Sequence, residues 1–195
     1  MELLTKPAQA MELRSSNQGV GRTVDEGSMR DRRSLLLGLT LSLSVLDCAG
    51  APHVLYHNRL QSLDGILTRD GVSLDTATSR GTAVRIESHG ETRVRLAEVQ
   101  TEAAEAVVLT YRGHLRTANL KGRAYLEMRC SIPGKGELFA RASQDASTGT
   151  TDWVAQATRL WLGSQQHAQT VRLNVQIEGA GVVWVNNILL AQAPR

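Results

Sequence analysis

Aromatic side chains are scarce in this chain: Phe, Tyr and Trp together make up 4% of its 195 residues. Each Trp and Tyr therefore carries more positional information than usual. Cysteine is scarcer still, with only Cys48 and Cys130. If Cys48 leaves with an export signal, Cys130 is alone and a disulfide scaffold is excluded. The apolar run at 35–46 is too short to cross a bilayer as a helix of about 20 residues. The net charge is only +3. After Ala51 sixteen Lys and Arg face thirteen Asp and Glu, and the two signs alternate. That scatter lacks the concentrated basic stripe that nucleic acid demands. No serine nucleophile elbow, zinc-binding helix or phosphate-binding glycine loop is present. No catalytic residue, metal ligand or cofactor is assigned on these grounds.

What is present begins with an export signal. Residues 1–28 are polar and aperiodic, a disordered leader or a stretch ahead of the true start at Met29. Met29-Arg-Asp-Arg-Arg-Ser34 is a basic n-region, 35–46 is a short apolar h-region, and Ala49-x-Ala51 supplies the small residues of a cleavage site. Pro52 at the first mature position disfavours cleavage there. Asp31-Arg-Arg-Ser-Leu-Leu36 resembles the twin-arginine export motif, with Leu where Phe is usual. Residues 29–51 thus predict an exported protein, periplasmic or extracellular. The alternative is a membrane anchor through an uncleaved 34–46. Residues 52–64, with His53 and His57 four apart and no third ligand nearby, read as a mobile lead-in to a domain at 65–195.

Within 65–195 the hydrophobic pattern has period two, broken by glycine-rich turns, as in antiparallel strands with one buried face. Expected strands lie at 66–69, 82–87, 92–96, 107–115, 124–132, 137–143, 153–162, 171–177 and 182–190, with a turn at His89-Gly90-Glu91 and a helical turn in 98–105. Cys130 shares parity with Leu126, Met128 and Ile132, which predicts a buried, inert thiol. Eight or nine short strands predict an all-β, two-sheet antiparallel β-sandwich of jelly-roll type. The immunoglobulin Cys…Trp…Cys pattern is absent.

Four stretches carry a family resemblance: Leu115-Arg-Thr-Ala-Asn-Leu-Lys-Gly122, Ala124-Tyr-Leu, Gly149-Thr-Thr-Asp-Trp153 and Gly179-Ala-Gly-Val-Val-Trp184-Val-Asn-Asn-Ile188. They resemble the galactose-binding-like jelly roll, and more narrowly the carbohydrate-binding modules appended to cellulases and xylanases. The resemblance implies a binding function. It also implies a structural calcium in that family, but Asn186 and Asn187 stand where an Asp is common.

Parity places Arg112, His114, Tyr125, Glu127, Arg129, Arg172, Asn174 and Gln176 on outward faces of three strands. Tyr125 offers an aromatic plane for a sugar ring, and the others offer donors and acceptors for hydroxyls. Trp153, beside a loop, is the second platform candidate, whereas Trp161 and Trp184 read as packing residues. The expected partner is therefore a carbohydrate or similar polar surface. One alternative is a structural or protein-interaction domain of the cell envelope. A second is a jelly-roll polysaccharide lyase using His114, Tyr125, Arg129 and Gln176, although Glu178 occupies the position of the expected histidine. Glu127 and Glu178 are the one carboxylate pair to inspect for glycoside hydrolysis.

Overall fold

The computed structural model describes residues 51–103 and 106–195. The leader and the signal up to residue 50 lie outside the described residues. Seven strands follow one another: β1 (His53–Asn58), β2 (Val72–Thr78), β3 (Gly81–Ala103), β4 (Val107–Ile132), β5 (Gly136–Arg141), β6 (Ser147–Leu162) and β7 (Ala168–Pro194), with one 3-10 turn at Ser143–Asp145. All pairings are antiparallel. The hydrogen-bonded order is β2-β3-β7-β4-β5, with β1 added to β7 and β6 to β4.

Three strands are far longer than the sequence predicts, because β3, β4 and β7 each run through a bend. The bend lies where Gly122 pairs with Gly179. Both have φ in the left-handed half of the map, +144° and +141°, which only glycine adopts without strain. A Cβ on Gly122 would lie 1.7 Å from the Glu178 carbonyl oxygen, and one on Gly179 would lie 1.9 Å from that of Lys121. The two backbones touch where no side chain fits. The register also slips between Ala118 and Lys121, as it does at a bulge that sharpens twist. β3 passes the same level without turning: Gly90 pairs with Gly179, and Ser88 Oγ lies 2.7 Å from the Gly90 carbonyl and 2.9 Å from that of Gly179. The hairpin expected at 89–91 is absent, and the helical turn expected from 98 is strand up to Ala103.

The sheet therefore folds over into two layers, a jelly-roll sandwich. The first holds β1, β2, β6 and the halves of β3, β4 and β7 on one side of the bend. The second holds β5 and the other halves. Val84, Ile86, Leu109, Tyr111, Leu115, Val183, Val185 and Ile188 of the first share one buried core with Val94, Leu96, Leu126, Met128, Cys130, Leu173, Val175 and Ile177 of the second. The layers meet closely at Gly113, whose Cβ would lie 3.4 Å from Leu126 Cδ1. Gln156 ties them together: its Oε1 accepts from Leu126 N at 3.1 Å and its Nε2 donates to the Ala124 carbonyl at 3.3 Å. Burial, and then the charge of Glu137, pushes the Cys130 thiol up to about 12, the inert state that parity predicted.

Two further expectations change. Residues 53–58 form β1, paired with 188–192, so this part of the expected lead-in is built into the sheet. Residues 66–69 are not strand; the strand in this region is β2. The turn after Ile132 stands as expected, with Lys135 N donating to Ile132 O at 3.1 Å; the strand expected at 137–143 is β5, Gly136–Arg141, and Ser143 opens the 3-10 turn.

Candidate functional site

The outward face of the second layer is a polar lattice four strands wide. In each row the residues stand directly opposite one another, so they share a face. Arg93, Gln176 and Tyr125 form one row. Arg95, Asn174, Glu127 and Arg141 form the next, followed by Glu98, Arg172, Arg129 and Phe139.

Glu127 is the centre. It points outward, yet its side chain has no exposed surface. Arg141 Nε donates to Oε2 at 2.7 Å, and Asn174 Nδ2 reaches Oε1 at 3.4 Å. Arg93 Nε stands 3.0 Å from Oε1 while donating to Gln176 Oε1 at 2.9 Å. Arg129 Nε is 3.2 Å from the same carboxylate oxygen but not aligned for a hydrogen bond, so this is a charge contact. Its Nη1 instead meets Glu137 at 2.7 Å. Arg172 bridges Glu98 at 3.1 Å and Glu137 at 3.0 Å. At the bend, Glu178 accepts from Arg123 and, at 2.6 Å, from the Tyr125 hydroxyl. Those two bonds, Arg123 first, hold the Glu178 carboxyl below its ordinary range. Burial, and then the bond to Glu178, pushes Tyr125 up to about 12.

The face has a buried floor beneath a rim of arginines. Tyr125 and Asn174 are 1% exposed and Gln176 2%, whereas the surrounding side chains of Arg93, Arg123 and Arg141 are 41%, 50% and 36% exposed. Each of the six arginines of this face has a carboxylate within salt-bridge distance. A floor of amides and a rim of paired guanidiniums is close to charge balance. Such a surface suits a neutral ligand rich in hydroxyls.

Of the nine residues expected to bind, the structure brings together Tyr125, Glu127, Arg129, Arg172, Asn174 and Gln176. It separates Arg112, His114 and Trp153. Arg112 and His114 precede the bend in β4 and line a cavity on the first layer. Trp153 is on β6, which pairs only with the β4 segment at 107–124. Parity alone put the other eight on outward faces of three strands, but 107–115 and 124–132 are one bent strand, so Arg112 and His114 fall on the other layer.

Tyr125 does not present its ring to solvent, because the Arg123 guanidinium sits 5.7 Å above it. The exposed aromatic of this face is Phe139, 53% exposed, with the Arg141 guanidinium over one side of its ring at 4.6 Å from the centre and the other side left to a ligand. The signal that could have found it is its spacing of two from Arg141, which puts both on one face of a strand. Trp161 is 57% exposed, contrary to its expected packing role. Trp184 does pack: Nε1 donates to Asp75 at 2.8 Å and Arg116 covers the ring.

The catalytic alternatives lose their geometry. His114 does not join Tyr125, Arg129 and Gln176, so the lyase set is not assembled. Glu127 and Glu178 are both held by arginines, and a general acid needs a raised pKa where Glu178 has a lowered one. Among the described residues no group of three or more His, Cys, Asp or Glu gathers to hold a metal. Asn186 Nδ2 instead donates to the Thr82 carbonyl at 2.6 Å. No helix among the described residues is long and apolar enough to cross a membrane.

No protein-family model and no curated protein sequence matches the chain. Solved structures do. A xylan-binding CBM22-1 domain of Paenibacillus barcinonensis Xyn10C superposes with a TM-score of 0.53 at 11% identity, over 75% of this chain and 99% of that one. Another family 22 xylan-binding domain gives 0.52 at 11% identity, over 73% and 97%. The CBM22-1–GH10 modules of Clostridium thermocellum xylanase 10B, solved with xylohexaose, give 0.50 at 8% identity, over 74% and 29%. The likeness is one of fold: the jelly-roll sandwich of carbohydrate-binding modules.

Proposed function

We propose that this protein is an exported, non-catalytic carbohydrate-binding module that holds a neutral polysaccharide on the Glu127 face. One observation carries the reading: Phe139, 53% exposed, stands beside guanidiniums already fixed by carboxylates. A sugar ring stacks on Phe139, and its hydroxyls meet the partly exposed guanidiniums of Arg129, Arg141 and Arg172 in place. Fixed groups lose little conformational freedom on binding, which favours affinity. The xylan-binding function of the structural neighbours supports this reading as an analogy of fold.

A glycan array with polysaccharide pulldown tests it. The full chain retains at least one neutral polysaccharide, and Phe139→Ala loses that retention without loss of folding. Absence of binding to every neutral polymer overturns the reading.

One observation favours a second reading, a protein-interaction domain of the envelope. Among the described residues β6 is an edge strand that pairs only with β4, and it exposes Trp161 and Val154 at 57% and 41%. Open apolar edges of this kind invite a partner chain. Under that reading Trp161→Ala, and not Phe139→Ala, removes the interaction.

A further inference from the structure

Every arginine of the Glu127 face has a carboxylate partner. Arg59 and Arg80, at one end of the first layer, have none among the described residues. Both line a cavity of about 490 Å³ with His57, Thr82, Asn186 and Asn187, and among the described residues no Asp or Glu lines it. The geometry points to a second binding site here, for the oxyanion of an acidic polysaccharide, either a uronate carboxylate or a sulfate ester. This site is distinct from the Glu127 face and does not depend on it.

Three separately anchored elements converge on the cavity. Arg59 follows β1 in a tight turn: Leu60 N donates to Asn58 Oδ1 at 2.7 Å, and Leu60, at φ +58°, is fully buried. A buried residue held in the left-handed region marks a turn fixed by its surroundings. Arg80 sits at the tip of the β2–β3 hairpin, where Thr78 Oγ1 donates to the Gly81 carbonyl and Arg80 N donates to Thr78 Oγ1 at 3.3 Å. Asn187 stands at a register slip between β4 and β7, with φ +53°. Its Oδ1 lies 2.8 Å from His57 Nε2, so that ring nitrogen donates and the Asn187 amide keeps its own donors for the cavity. Two guanidiniums and an amide on rigid turns form the donor set that oxyanions select.

Asn187 also lines the neighbouring cavity of about 530 Å³ that contains His114. His114 Nδ1 is buried there without a hydrogen-bond partner. Burial, and then the charge of Arg80, holds His114 below the usual histidine range. Asp145 is the one carboxylate of this second cavity. The oxyanion sits between Arg59 and Arg80, and the sugar that carries it extends past Asn187 towards the unsatisfied His114 nitrogen.

The test is affinity electrophoresis of the full chain in gels containing polygalacturonate, dextran sulfate or neutral dextran, with duplex DNA at equal charge concentration. Retardation by polygalacturonate or dextran sulfate, but not by neutral dextran, is expected; the gel that retards more identifies carboxylate or sulfate. Arg59→Ala/Arg80→Ala weakens retention at least about tenfold, the scale of losing charged hydrogen bonds. Both arginines are exposed, so thermal unfolding of the variant stays unchanged. Phe139→Ala leaves this retention intact, which separates failure here from failure at the other face. No retardation by either acidic polymer, undiminished retention in the double variant, or equal retention by DNA overturns the proposal.

Discussion

Arg141 stands directly across the ladder from Glu127 and donates its Nε–H to a carboxylate with no exposed surface, at 2.7 Å. Among the described residues Glu127 is the one acid in contact with Arg141, whereas it has two further arginines of its own. Removing the acid and removing the base therefore have unequal consequences. Glu127→Ala leaves three guanidiniums repelling one another, and destabilises the fold by about 2–4 kcal/mol after allowing for their partial exposure. Arg141→Ala leaves Glu127 still paired and costs about 1 kcal/mol. Urea unfolding with an unchanged m-value measures both.

The bend makes a sharper prediction. Gly179→Ala or Gly122→Ala drives a Cβ into a facing carbonyl at 1.9 or 1.7 Å, at a φ that disfavours any side chain. Each destabilises the fold by about 3 kcal/mol or more. Gly90→Ala, one strand away, meets nothing within 4 Å and has no such φ; its effect stays within about 0.5 kcal/mol. Thermal unfolding of the three variants separates them.

The pair at the bend sets a pH window. Glu178 is lowered from 4.5 in the folded state, so the unfolded chain binds its proton first as pH falls. Its contribution is complete above pH 4.5 and is lost below that, through the folded pKa. Tyr125 is raised from 10.0 to about 12, so its contribution is complete below pH 10.0 and is lost as pH rises towards 12. Between these limits the pair adds no pH dependence. Glu178→Gln flattens the acid-side slope in a pH series of urea midpoints.

Cys130 is fully buried with its thiol pushed up to about 12. It therefore stays unlabelled by a thiol reagent at pH 8 in the native protein and reacts at once in denaturant. Labelling followed by mass spectrometry checks this.

The sandwich was legible in the sequence because alternation reports burial. Leu126, Met128, Cys130, Leu173 and Val175 are inward, and Glu127, Arg129, Arg172 and Asn174 outward, as parity requires. Where strands begin and end was less legible. Gly122 and Gly179 read as breaks between strands, but they are the points where continuous strands touch and bend, so Arg112 and His114 fell on the other layer. His89-Gly90-Glu91 has turn chemistry, yet pairing with Gly179 keeps β3 running. Tyr125 was placed on the correct face, but Arg123 lies over its ring, and no period reports what covers a side chain.

A titration of isotopically labelled protein with xylohexaose, or with the oligosaccharide of whichever neutral polymer binds best, followed by amide NMR shifts, tests the central claim most directly. The account predicts saturable shifts concentrated at 91–98, 123–131, 137–141 and 172–178, lost in Phe139→Ala. Shifts confined to 107–116 and 153–162, or none at saturating ligand, would contradict it.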